Sequence, residues 1–502
     1  MKRYTLVLLA LALLAGCGGS PAVQTGQTAG AERPPVPTDA PAATAVPTTP
    51  AAPTGSAPAA TAAPVATATP AATAEAAPSG GASVVYQVPD DGSLRAIDLA
   101  GGAEVVLGDP TEPSQRLPWS ASPDGRTVAL VTGGAWLGRQ EQPPRAALWT
   151  VGVDGSNPRR LLDLIGTTPF AGSLVGDWIA LVNQTFQRLP WVPDGRAVVV
   201  ASAHEGQVDL YAVDVASGAA RRLTDTPTVE FGAAVAPDGH ALAYGSASSF
   251  GTGAGWADVQ GWLLPLAGGA PRPAFLPESS SEPPAGLTVA GWLDSETLVV
   301  QTTGMGATSS TIWLTQGDAQ PQPFYRLPGL AVLDLQAGRL HFADQIPGQN
   351  GSLWSWQPGQ SAAQQRASLA PAEAVYASPH GEEVLICPSE RGPSGGLLLW
   401  SQGQLRQVSG GCGRPAWPAS GRVALPGDPS SDGAGLIVGL DGGVQFSLGP
   451  GGIPAGWLDD TLYFFARNGA QWQLVRSDGT NTQPLAPVAA APEDPQLVIR
   501  TP

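Results

Sequence analysis

From Ser83 onward the apolar residues come in short runs cut by Gly, Pro and Asp, the texture of strands and tight turns rather than of helices. One phrase recurs almost unchanged: Ser122-Pro123-Asp124-Gly125-Arg126 before Thr127-Val128-Ala129-Leu130, Val192-Pro193-Asp194-Gly195-Arg196 before Ala197-Val198-Val199-Val200, and Ala236-Pro237-Asp238-Gly239-His240 before Ala241-Leu242-Ala243-Tyr244. Pro presets the first turn dihedral, Asp bonds the backbone two residues on, and Gly takes a positive φ, so each copy predicts a tight turn feeding a strand. Looser copies follow at Leu293-Asp294-Ser295, Gln336-Ala337-Gly338, Pro379-His380-Gly381, Ala419-Ser420-Gly421 and Leu458-Asp459-Asp460, at intervals that settle near 40 to 44 residues. A second phrase follows each turn, as in Leu148-Trp149-Thr150-Val151 before Asp154-Gly155 and Leu210-Tyr211-Ala212-Val213-Asp214 before Ser217-Gly218. Each period therefore reads as four strands: one before the turn, one after it, one carrying Trp or Tyr, and one closing after a Gly turn.

Four strands per period of roughly 40 to 45 residues is the pattern of a propeller blade. With the Pro-Asp-Gly-Arg turns and the phrase Leu210 to Pro227, residues 83 to 490 resemble the WD40-like repeat of the TolB type. The resemblance implies an all-β chain with a single β-propeller over 83–502. The eight turn phrases plus the partial unit Val84 to Leu107 give nine candidate units, and base rates favour fewer, so the expectation is about eight four-stranded blades, with seven to nine as its range. Gln496 to Arg500 is a candidate strand for closing the ring against the partial unit. Between Gly125 and Gly195 the interval is 70 residues, so 163–190 holds an insertion or an irregular strand pair. The TolB type also carries an amino-terminal α/β domain, absent here, so its partnership is not implied.

The amino-terminal segment supplies an address. Lys2 and Arg3 precede the apolar run Leu6 to Ala15, and Leu14-Ala15-Gly16-Cys17 resembles a bacterial lipobox, which makes 1–17 a lipoprotein signal peptide and Cys17 the lipidated residue. The expected location is extracytoplasmic, with acyl chains at Cys17 holding the protein to a bacterial membrane. Residues 18–82 are mostly Ala, Pro, Thr and Gly, without aromatic residues, Leu or Ile, and predict a disordered tether that reaches up to roughly 200 Å when extended.

Composition then narrows the chemistry. Lys2 is the only lysine, which excludes a P-loop, a Schiff-base enzyme and a kinase-type ATP clamp. The net charge of −16 argues against nucleic acid as a partner. Of the 15 tryptophans, most fall at repeat positions and read as packing between blades, leaving Trp136, Trp178 and Trp256 outside the pattern. The four histidines are scattered and no metal or cofactor is expected; Asp428 and Asp432 read as a solvated loop. Gly392-Pro393-Ser394-Gly395-Gly396 matches a serine-hydrolase pattern without the strand, elbow and helix that this chemistry needs. No catalytic residue is assigned.

With Cys17 acylated, Cys387 and Cys412 remain. Propeller topology brings the end of a second strand and a blade-to-blade connection to one face, so the two are expected to form a disulfide worth about 3 kcal/mol. On that face the connections after second strands are long and varied, and they hold Trp136, Arg139, Trp256, Met305 and Arg391. The resulting expectation is a monomeric, surface-tethered, non-enzymatic module that recognises an envelope protein or glycan. The alternative is a propeller-based enzyme, a glycan hydrolase or lyase, which needs carboxylates that converge.

Overall fold

The computed structural model describes residues 81–89, 91–108, 118–132, 146–165, 189–251, 255–275, 284–304, 309–345, 350–389, 396–419, 421–427 and 433–501. Among them every regular element is a strand, and no helix is long and apolar enough to cross a membrane. The lipobox with Cys17 and residues 18–80 of the expected tether lie outside the described residues, whereas Ala82, read as the end of the tether, already opens the strand Ala82–Gln87.

The strands form a β-propeller. Six sheets hold four antiparallel strands in chain order, spanning 119–163, 229–273, 286–328, 330–369, 372–408 and 453–488; in the second of them a two-stranded hairpin is inserted between the second and third strands. Two more, spanning 197–222 and 422–450, have three strands, and a single bridging residue takes the innermost place: Trp191 opposite Val198, and Ala416 opposite Ala424. The last sheet joins the two ends of the domain, for Glu493–Ile499 pairs antiparallel with Ala82–Gln87, which continues to Leu94–Asp98 and Glu104–Gly108. The described residues therefore make nine blades, not about eight. All eight turn phrases join a first to a second strand. The partial unit Val84 to Leu107 is a full blade whose first strand comes from the carboxyl end, so the count by base rate undervalued it.

Nine buried clusters lie one between each neighbouring pair of blades, and the cluster of Val84, Tyr86 and Ile97 with Phe465 and Leu474 joins the last blade to the first. Second strands are covered on both faces, which explains why they read as unbroken apolar runs: Val198, Val199 and Val200 are all 0–1% exposed. Each such side chain contributes about 1.5–3 kcal/mol through burial. Tryptophans before the turns tie blades together, with Trp191 Nε1 donating to Ser120 Oγ (2.9 Å), Trp292 Nε1 to the Ala234 carbonyl (3.1 Å) and Trp457 Nε1 to the Ala416 carbonyl (3.1 Å).

The turns are built as their residues dictate. Asp124 Oδ1 accepts from Arg126 N (3.1 Å) and Asp194 Oδ1 from Arg196 N (2.9 Å). Gly125 and Gly195 sit at φ +69° and +73°, which an L side chain resists. A Cβ on Gly125 would also lie 2.1 Å from the Ile499 carbonyl oxygen at the ring closure, whereas one on Gly195 would meet nothing nearer than 3.9 Å. Gly195→Ala is thus expected to cost about 1 kcal/mol for the dihedral alone. Gly125→Ala should cost about 3 kcal/mol, since the closing strand must also move. Urea denaturation of the two variants checks this; equal losses would contradict the closure geometry.

Candidate functional site

A propeller has two faces. The turn phrases occupy one, while the connections from second to third strands and from each fourth strand to the next blade occupy the other. On this second face, where the blade of 191–222 meets the blade of 229–273, three segments bring ionisable groups together. The connection Ala203 to Val208 carries His204 and Glu205. Asp209 opens the strand Asp209–Asp214, and the link from Arg222 to Thr228 leads into Glu230 on the innermost strand Val229–Val235.

Arg222 is the hub. Its guanidinium meets Asp209 Oδ2 at 2.5 Å, Asp225 Oδ1 at 2.8 Å and Glu205 Oε2 at 3.4 Å. Tyr211 donates its hydroxyl to Glu205 Oε2 (3.1 Å), and the His204 ring packs 4.4 Å from that of Tyr211 with Nδ1 at 3.1 Å from Ser202 Oγ. Burial depth divides the cluster: Asp209 is fully buried, Glu205 is 50% exposed, and Arg222 is 30% exposed. Burial pushes the Asp209 carboxyl and the Tyr211 hydroxyl above their usual ranges, against the pull of Arg222 on both.

Glu230 is the most perturbed carboxyl here. It is wholly buried; Oε1 accepts from Thr226 Oγ1 (2.5 Å) and Thr228 Oγ1 (3.0 Å), and Oε2 has no partner among the described residues. Burial, with Asp209 adding to it, pushes Glu230 up to about 8 against the opposing pull of the threonine hydroxyls. At neutral pH it holds a proton. Thr226 and Thr228, 2.6 Å apart and both half-buried, connect it to the rim.

Trp136, Arg139, Met305 and Arg391 lie outside the described residues, as do Trp178, Asp428, Asp432 and Ser394. Trp256 lies on the strand Gly255–Ala257, which pairs with Ser249–Gly251 in a hairpin inserted between second and third strands, and register sets Trp256 opposite Phe250. The cluster stands on two short connections, Ala203 to Val208 and Arg222 to Thr228, and not on the long ones to which the sequence pointed. Cys387 and Cys412 form a disulfide with Cα atoms 5.7 Å apart, on that same face. His240 and His380 belong to turns, and no group of three or more His, Cys, Asp or Glu among the described residues is arranged to hold a metal.

No family model matches the chain, and no curated protein matches it in sequence. Solved structures do. Dipeptidyl peptidase 4 of Porphyromonas gingivalis is 11% identical over 78% of this chain and 64% of its own, with a TM-score of 0.49. An oligogalacturonate lyase in complex with manganese is 12% identical over 70% of this chain and 94% of its own, at 0.40. TolB from Acinetobacter baumannii is 15% identical over 59% of this chain and 64% of its own, at 0.31. The chain thus spans under two thirds of the first and third of these, and the likeness is one of fold. TolB-type propellers are among its structural neighbours. The expectation of a non-enzymatic module is corrected here: structures similar to the chain include a peptidase and a lyase, and the enzyme alternative is carried forward.

Proposed function

We propose that the chain is a propeller-based enzyme that cleaves a glycan of the bacterial cell envelope at the cluster of Glu205, Asp209, Arg222 and Glu230, and that Cys17 anchors it outside the cytoplasm through lipid. The observation that carries this reading is Glu230, a wholly buried carboxyl reached by the Thr226 and Thr228 hydroxyls and pushed up to about 8, with Asp209 and Arg222 standing between it and the half-exposed carboxylate of Glu205. Environments that push two carboxyl groups apart in proton affinity provide an acid and a base at one pH. Glycoside hydrolysis needs that pair: an acid to protonate the departing oxygen and a carboxylate to activate water.

In this arrangement Glu205 takes the proton of the attacking water. Glu230 supplies one to the leaving oxygen by way of Thr226 and Thr228: with the carboxyl proton on Oε1, the Thr226 hydroxyl turns to accept it and gives its own proton to Thr228, which passes one on to the leaving oxygen. The C–O bond to the leaving sugar breaks as the bond to water forms, and solvent exchange returns both carboxyls to their starting states. Arg222 and Tyr211 orient Glu205, and Asp209 fixes Arg222.

The test is cleavage of a panel of envelope polysaccharides by the full chain, followed both as new reducing ends and as the absorbance of unsaturated sugar. Hydrolysis of at least one polymer is expected, and Glu205→Gln should lower its rate at least about 100-fold. Unsaturated products would replace hydrolysis by elimination. No cleavage of any polymer, or an undiminished rate in Glu205→Gln, would sink the proposal.

A further inference from the structure

At the opposite ends of the same two blades, on the face of the turns, lies an open groove of about 490 Å³, within the size range of small-ligand sites. Its floor is made of small side chains, Ala197, Ala212, Ala220 and Ala267, and it contains no aromatic ring on which a neutral sugar could stack. Arg196 and Arg221 line it, as do Asp194 and Asp214.

The two arginines differ from their neighbours in having donors left over. Arg126, at the same turn position one blade earlier, donates to the Thr501 carbonyl at 3.1 Å. Arg159 donates to the carbonyls of Val215, Ala216 and Ser217, and Arg222 meets three carboxylates. Arg196, by contrast, is 84% exposed and only approaches Asp194, at 4.0 Å. Arg221 is exposed and makes one long bond, to the Leu266 carbonyl at 3.4 Å. The aspartates are engaged with their own turns: Asp194 accepts from Arg196 N, and Asp214 from both the amide and the hydroxyl of Ser217, which holds its carboxyl below the usual range.

We infer that this groove binds a sugar acid, its carboxylate between Arg196 and Arg221 and its hydroxyls donating to Asp194 and Asp214. A guanidinium pair suits a planar carboxylate. The aspartates select further, because they repel a polyanion such as an acidic peptide yet accept hydrogen bonds from a ligand rich in hydroxyls. The ligand class rests on the glycan reading above; the groove itself is separate from the carboxyl cluster.

The experiment is calorimetric titration of the full chain carrying Glu205→Gln with three probes: a glucuronate disaccharide, the same disaccharide with its carboxylates reduced to alcohols, and triglutamate. The glucuronate is expected to bind, with the other two at least about tenfold weaker. Adding Arg196→Gln or Arg221→Gln should each weaken it about tenfold, as loss of a charge-assisted pair does. Both side chains are exposed, so an unchanged thermal midpoint will separate binding from folding. Equal binding of the reduced sugar, tighter binding of triglutamate, or indifference to both arginine variants would overturn the inference, as would no binding at all. Cleavage by the arginine variants without Glu205→Gln is measured in parallel, so failure of the groove and failure of the cleavage reading are seen separately.

Discussion

Wild-type stability falls as pH rises from about 5 to 9, and Glu230→Gln removes most of that fall. The folded state holds Glu230 at about 8 where a free glutamate sits at 4.5. Below 4.5 both states are protonated and nothing is lost. Between the two values the unfolded chain releases a proton that the folded chain keeps, so stability declines by about 1.4 kcal/mol per unit of pH, on the order of 5 kcal/mol across the window. The groups around Glu230 are Thr224, Thr226, Thr228, Asp209 and Tyr244, none of them a cation that could hold it ionised. Glutamine keeps the shape and the two threonine donors. It leaves an amide without an acceptor at the site of Oε2, a cost of about 1–3 kcal/mol that does not vary with pH. Urea denaturation at pH 5, 7 and 9 reads the difference in slope, and parallel curves for the two proteins would contradict the assignment.

The acid limb should be governed by another blade. His341 is 2% exposed on the strand Arg339–Gln345, and neither ring nitrogen has a partner among the described residues. Burial first, then the charges of Arg339 and Arg366, lowers it from 6.5 to about 4. Register places Asp334 and Ser355 on the strands to either side, but Asp334 accepts from the Ala377 and Leu335 amides and Ser355 from Arg366, so neither holds the ring. As pH falls from 6.5 toward 4 the unfolded chain gains a proton that the folded chain refuses, at a loss of roughly 3 kcal/mol in all. His341→Leu is expected to flatten this limb and to cost little at pH 7, because it removes two unpaired nitrogens with the ring. Thermal midpoints from pH 7 to pH 4 check it; identical acid limbs would count against the buried neutral histidine.

The architecture was legible because its grammar is local. Pro-Asp-Gly followed by an apolar run writes a hairpin within a dozen residues, and eight hairpins announce eight blades. The ninth was harder to read because its hairpin does not exist: Ala82–Gln87 and Glu493–Ile499 meet only through the closed ring. The disulfide followed from the same grammar, since topology alone brings the end of one strand beside the next blade's entry. The carboxyl cluster was not legible. Thr224 to Glu230 reads as an ordinary polar connection and a strand start, and only tertiary packing sets Glu230 behind Asp209 and places Arg222 among three carboxylates. A faint signal was present, in that the short stretch from His204 to Glu230 carries four acidic residues besides Asp214, in a chain where charged residues are only 13%.

The measurement that bears most directly on the account is the titration of Glu230 itself. Infrared difference spectra between the wild-type chain and Glu230→Gln, recorded from pH 5 to 10, isolate the carbonyl band of one protonated carboxyl group. The band should persist through neutrality and vanish around pH 8. A band already gone by pH 6 would remove the acid from the proposed pair and the chemistry built on it.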